Sequence, residues 1–212
     1  MEQPLKWFEE HKYIAVIRSG SPEDAESMIK AAGLGGFRLF EISLQTPQAI
    51  KLIETFSKKD NFFVGAGAVT DGEIAQRAIN AGAKFLSSHY TDKDVISVAK
   101  NNDSFVIQGV ATATEAVNAY QLGADLVKIY PAAFVGGPAY LKALKAPLPF
   151  LKLVAEGGIN LENSTEYLKH CVAVSVGKAI FDKPLIRSDK WSEITERAKQ
   201  FIQKLEPLKV SK

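Results

Sequence analysis

Residues 105–131 contain Phe105-Val106-Ile107-Gln108-Gly109-Val110, then Thr112-Ala113-Thr114-Glu115, then Gly123, then Leu126-Val127-Lys128-Ile129-Tyr130-Pro131. Two short runs, rich in apolar β-formers, flank a segment that opens like a helix and stops at glycine. Such runs are what strands covered on both faces look like. Thr112 is a capping hydroxyl and Glu115 is the acid three residues later. The acid suits the positive end of the helix dipole, and a glutamate can also reach back to the cap's amide. Gly123 marks the stop just ahead of the next run. The unit is strand, helix, strand.

The same alternation extends in both directions. Strand-like runs lie at Tyr13–Arg18, Phe37–Ser43, Phe62–Gly67, Lys84–Ser88, Phe105–Val110, Leu126–Tyr130, Leu151–Ala155 and Val172–Gly177. Ser21-Pro22-Glu23-Asp24, Thr70-Asp71-Gly72-Glu73 and Thr91-Asp92-Lys93-Asp94 repeat the spacing of hydroxyl and acid, and Thr46-Pro47 puts proline at a first helical position. Gly33, Gly35, Gly36 and Gly82 mark further stops. Eight β-then-α units in one domain over 1–212 predict an α/β fold, a (β/α)₈ TIM barrel with short loops. The segment with Leu5, Trp7 and Phe8 is expected to be an extra N-terminal helix closing the bottom of the barrel. Trp191–Leu205, with Ile194, Ala198 and Phe201 at helical spacing, is expected to be the last outer helix. The alternative is a doubly wound open sheet, but Arg18-Ser19-Gly20-Ser21 is no dinucleotide fingerprint.

The chain has 212 residues, 46% hydrophobic and 24% charged, enough for one domain with a sizeable core. Its formal charge of +2, with scattered lysines, points away from a nucleic-acid partner. No apolar run is long enough for a membrane span. The N-terminus lacks the apolar core of a signal peptide. One cysteine, Cys171, fits a reducing cytoplasm and reads as a small buried hydrophobe.

In barrels of this kind the chemistry sits at the C-terminal ends of the strands. Lys128 lies inside an apolar run that ends there. Burial disfavours an ammonium, lowers its pKa and leaves an amine that attacks carbonyls and forms Schiff bases. The bland reading is a lysine that snorkels out or pairs with a carboxylate. Glu41, between Phe40 and Ile42, has its pKa raised by burial and suits proton transfer; the bland reading is an ion pair with Lys128 or Arg18. Gly157-Gly158 and Gly177 follow the last two strands, where backbone amides can approach a phosphate, and Lys178 adds a cation. His89 is ambiguous. No His, Asp and Glu cluster has metal-ligand spacing, so a metal is disfavoured, and no cofactor is implied.

Ala15-Val16-Ile17-Arg18, Phe40-Glu41-Ile42-Ser43, Gly65-Ala66-Gly67-Ala68-Val69, Gln108-Gly109-Val110, Lys128-Ile129-Tyr130-Pro131, Gly136-Gly137, Gly157-Gly158-Ile159 and Val176-Gly177 together resemble the class I aldolases that cleave 2-keto-3-deoxy-6-phosphogluconate and 4-hydroxy-2-oxoglutarate. The resemblance runs from about Tyr13 to Phe181, with order and spacing kept throughout. It implies a homotrimeric barrel acting on a small 2-keto acid, with Lys128 as the Schiff-base lysine and Glu41 shuttling protons, partly through water. It also implies that the backbone at Gly157, Gly158 and Gly177 holds a distal phosphate or carboxylate. Six positions depart from the family pattern. Gln45 stands where many members carry an arginine that grips the pyruvate carboxylate, and Ala68 replaces a threonine that contacts the same group. His89 and Gln108 replace prolines, Glu156 a threonine and Lys178 a serine. Together they imply a shifted substrate or weak activity on the sugar acid, with Arg18 placed to take over the carboxylate contact. Lys178 either faces the ligand or pairs with Glu156 and points away; the paired changes at 156 and 178 favour the first.

The leading reading is therefore a 2-keto-acid aldolase releasing pyruvate and an aldehyde. Two alternatives stand beside it: a barrel that binds phosphorylated ligands without cleaving them, and a phosphate-sugar isomerase or epimerase that needs acid/base groups but no Schiff base.

Overall fold

The computed structural model of the chain describes residues 2–205. Its strands are β1 (Tyr13–Ile17), β2 (Leu39–Ser43), β3 (Phe63–Gly67), β4 (Phe85–Ser87), β5 (Phe105–Val110), β6 (Leu126–Ile129), β7 (Leu153–Glu156) and β8 (Ala173–Val176). Each pairs in parallel with the next, and β8 returns to β1, closing the barrel in sequence order. Helices fill the connections: α1 (Glu2–His11) ahead of β1, then α2 (Pro22–Leu34), α3 (Ala49–Phe56), α4 (Gly72–Asn80), α5 (Lys93–Asn101), α6 (Ala113–Leu122), α7 (Gly137–Lys145) and α8 (Ser164–Leu168). After β8 come α9 (Lys183–Arg187) and α10 (Trp191–Gln203). The open-sheet alternative is excluded by the closure.

Alternate residues of a strand share a face, which splits the apolar residues into two cores. Outward-facing Ile42, Val64, Ala66, Val106, Val127 and Val174 pack under the helices. Inward-facing Ile14, Leu39, Phe63, Phe85, Phe105, Leu126, Val154 and Ala173 fill the barrel. The expected plug is there. Phe8 of α1 is fully buried, stacks on Phe105 at 5.3 Å and meets Phe63 and Phe85 edge-on at 5.8 and 5.3 Å. α10 lies on α2, with Ile194, Ala198 and Phe201 buried and the Thr195 hydroxyl donating to the Ala31 carbonyl at 3.1 Å.

Several local expectations shift. Ser21 and Thr112 cap as read, and Thr112 with Glu115 forms a full capping box. At the other two sites the cap is the aspartate one residue on: Asp71 accepts from the Ile74 amide, and Asp92 from the Asp94 and Val95 amides. A carboxylate bears a full charge beside the helix dipole, so it outcompetes the adjacent hydroxyl. Pro47 lies in a turn, because Gln48 takes a left-handed backbone (φ 57°) and α3 starts only at Ala49. Gly33 lies inside α2, and the chain turns at Gly35 and Gly36.

Candidate active site

On β2, β4, β6 and β7 the inward-facing residue above the apolar layer is polar: Glu41 two residues after Leu39, Ser87 after Phe85, Lys128 after Leu126, Glu156 after Val154. All four are buried. They meet at the ammonium of Lys128, whose side chain is 0% exposed. Its Nζ donates to Glu156 Oε2 at 2.7 Å, to Ser87 Oγ at 2.8 Å and to Glu41 Oε1 at 3.5 Å. An ammonium has three protons to give, and here each has an acceptor. The second oxygen of Glu156 accepts from His89 Nε2 at 3.3 Å, and the His89 ring rests on Tyr130 with centroids 4.4 Å apart.

The charges set one another. Burial pushes the Lys128 ammonium down, and that is its largest single influence, but Glu156 and Glu41 together outweigh it and hold the pKa above the ordinary lysine value. The sequence-based expectation of a lowered pKa is therefore corrected: two carboxylates reach the amine, and burial strengthens their pull as well as its own penalty. Glu41 goes up, through burial first and the Glu156 charge in addition, against the pull of Lys128. Glu156, also buried, is drawn the other way by Lys128 and His89, to about 2. The site thus holds one carboxyl that binds protons tightly and one that binds them weakly, on either side of one nitrogen. Glu41 Oε2 is buried and has no hydrogen-bond partner in the structure. Gly67 makes room for this carboxylate, since a Cβ there would meet Glu41 Cγ at 2.6 Å.

The expected anion groups come together beside this cluster. Gly157 and Gly158 turn the chain after β7 with φ of +97° and +79°, a backbone that favours glycine. With Gly177, Lys178 and Ser175 they line a depression of about 510 Å³. Ser175 Oγ is buried there without a partner. Arg18 is exposed and shares a second depression, about 580 Å³, with Gly177, Lys178 and Asp182. It lies with the anion groups rather than with Glu41, so the alternative ion pair of Glu41 with Arg18 does not form. Gln45 sits exposed in the turn after β2, and only its backbone bonds, to Ser43 Oγ at 3.4 Å. Gln108 turns away from Lys128 and accepts from the Asp92 amide at 2.8 Å, at the start of α5.

The less favoured of the two arrangements for Lys178, pairing with Glu156, does not form: Glu156 belongs to Lys128 and His89, and Lys178 is exposed. Ser87 is a further member of the site that sequence alone can point to: it stands two residues from the core Phe85 at the C-terminal end of β4, so period-two alternation points it inward.

The profile of the KDPG and KHG aldolase family, named for 2-keto-3-deoxy-6-phosphogluconate and 2-keto-4-hydroxyglutarate, matches residues 6–197. The chain belongs to that family. It is a class I aldolase. The 2-dehydro-3-deoxy-phosphogluconate aldolase of Treponema pallidum (strain Nichols) is 31% identical over 194 residues, which cover 91% of this chain and 92% of the relative. The 2-dehydro-3-deoxy-6-phosphogalactonate aldolase of Escherichia coli (strain K12) is 31% identical over 181 residues, 84% of this chain and 88% of the relative. Among solved structures, the KDPG aldolase of Legionella pneumophila, with pyruvate captured at low pH as a covalent carbinolamine intermediate, aligns with a TM-score of 0.81 at 32% identity. The alignment covers 93% of this chain and 97% of that one. No helix among the described residues is long and apolar enough to cross a membrane.

Proposed function

We propose that this aldolase cleaves 2-keto-3-deoxy-6-phosphogluconate, 4-hydroxy-2-oxoglutarate or both. The products are pyruvate and an aldehyde, glyceraldehyde 3-phosphate or glyoxylate. One observation carries the assignment of roles: a fully buried lysine, at the catalytic end of the barrel, holds its nitrogen between two carboxylates. Lys128 attacks the ketone and, with loss of water, becomes an iminium that serves as an electron sink. Glu41, as a carboxylate, takes the 4-hydroxyl proton directly or through water, and its unpartnered Oε2 is the atom free to do so. The C3–C4 bond breaks, the aldehyde leaves and an enamine of pyruvate remains. Glu41 returns the proton to the enamine carbon, and hydrolysis releases pyruvate. Gly157, Gly158, Gly177 and Lys178 hold the distal phosphate or carboxylate, and Arg18 adds charge on the same side.

Assembly as a homotrimer in a reducing cytoplasm is part of the same proposal. It is supported by the family resemblance, by the free, buried Cys171 and by the 87% exposure of Phe134 in the turn after β6. The test is release of pyruvate from each of the two substrates. Activity on either or both, abolished in Lys128→Ala, is expected. No pyruvate from either substrate, or undiminished release by Lys128→Ala, would overturn the proposal.

A further inference from the structure

We infer that Glu156 is a second catalytic carboxylate, which carries protons between Lys128 and the ketone oxygen during imine formation, leaving Glu41 to serve the carbon–carbon cleavage. The inference rests on the Schiff-base reading of Lys128 and goes beyond it. Glu156 Oε2 is 2.7 Å from the reacting nitrogen, and Glu41 Oε1 is 3.5 Å away. Both oxygens of Glu156 are engaged, one by Lys128 and one by His89, so this carboxylate is fixed at the nitrogen and serves atoms bonded to the same carbon as that nitrogen rather than the more distant 4-hydroxyl. Glu41 has the opposite arrangement, a looser contact with the nitrogen and a buried oxygen that meets nothing. The geometry divides the work. Glu156, drawn down by Lys128 and His89, is ionised in the resting state and so has a vacant site for a proton.

The need for such a group follows from the resting state. Lys128 is held as an ammonium, which has no lone pair with which to attack. Glu156 takes one proton from it, and the freed amine adds to the ketone carbon. The ketone oxygen, now negative, takes that proton back from Glu156 and becomes a hydroxyl. Glu156 then removes a second proton from the nitrogen, now bonded to the former ketone carbon, and delivers it to the hydroxyl. The hydroxyl departs as water while the nitrogen lone pair closes the iminium. Two protons have moved from nitrogen to oxygen, one remains on the iminium, and Glu156 ends as the carboxylate it began as. No outside acid, base or redox partner is required.

His89 is a positioning residue in this scheme. Its bond to Glu156 Oε1 keeps Oε2 on the lysine and helps hold the carboxyl ionised. The titratable groups that face Glu156 are Lys128 on β6, Glu41 on β2 and His89 beyond β4, with Lys178, Asp182 and Arg197 lining the depression beside it.

The experiment measures two rates on each variant: formation of the borohydride-trappable imine with pyruvate, and steady-state turnover. In Glu156→Gln, trapping is expected to slow by roughly 10²–10⁴-fold, the usual worth of a general acid/base group, and turnover to fall with it. In Glu41→Gln, turnover is expected to fall far more than trapping. Trapping by Glu156→Gln at or above the wild-type rate would overturn the inference, because it would show that Glu156 merely holds the lysine charged. Glu156→Thr provides the same comparison with a different side chain, and thermal melts establish that each variant is folded. In His89→Phe, the acid-side fall of the trapping rate is expected to move to higher pH, since Glu156 loses a bond that lowers its pKa; an unmoved profile would overturn the positioning role. Absence of trapping in the wild type is a separate outcome, and it would contradict the Schiff-base reading itself.

Discussion

Lys128 has one acceptor for each of its three ammonium protons: Glu156, Ser87 and Glu41. Burial of an ammonium costs several kcal/mol unless it is paired, and here Glu156 and Glu41 pair it at 2.7 and 3.5 Å. In the proposed mechanism the nucleophile is thus kept charged at rest and released through its partners. Glu41→Gln should leave the fold intact and cut turnover by roughly 10²–10⁴-fold; near-normal turnover would reduce Glu41 to a counter-ion. The raised proton affinity of Glu41 also has a direction in pH. Its base form is lost as pH falls through a value above the ordinary glutamate pKa of about 4.3. Turnover should therefore begin to fall on the acid side above that pH, and a kcat profile flat down to about pH 4 would contradict the role. Much of this was legible in the chain. Lys128 and Glu41 are ionisable residues inside apolar runs, and such residues rarely sit there idle. Which charges face each other was not legible. Glu156 lies closer in sequence to Lys178 than to Lys128, and it is the pairing of β6 with β7, with both side chains on the inward face, that brings it to the second.

The strands could be read because each is a run of β-formers between turn signals, and all eight formed within two residues of the expected bounds. Helix starts were harder. Thr70-Asp71 and Thr91-Asp92 each offer two capping side chains in tandem, and the choice depends on where the preceding strand releases the chain. Left-handed Gln48 had no local signal at all. The plug helix α1 was visible through Leu5, Trp7 and Phe8, and its energetics follow from its packing. Phe8 touches three barrel phenylalanines and is 0% exposed. Phe8→Ala should lower unfolding stability by about 3–5 kcal/mol, the range for a fully buried phenylalanine. Denaturant unfolding of the two proteins measures it. A loss below about 1 kcal/mol would mean that α1 lies on the barrel without holding it closed.

At the scale of the molecule the barrel separates stability from chemistry along its axis. Aromatic rings and aliphatic side chains fill the end closed by α1, and the polar layer begins one inward residue higher on β2, β4, β6 and β7. The eight-fold alternation made this architecture legible, but the depth at which apolar gives way to polar depends on strand register, which the chain does not write out locally. That apolar floor is what forces Lys128, Glu41 and Glu156 onto one another, and the aldolase reading depends on the lysine that they surround. The direct measurement is mass spectrometry of the protein incubated with pyruvate and borohydride. The expected result is a single added pyruvate-derived mass on the peptide that contains Lys128 and on no other; labelling of a different lysine, or of none at saturating pyruvate, would contradict it.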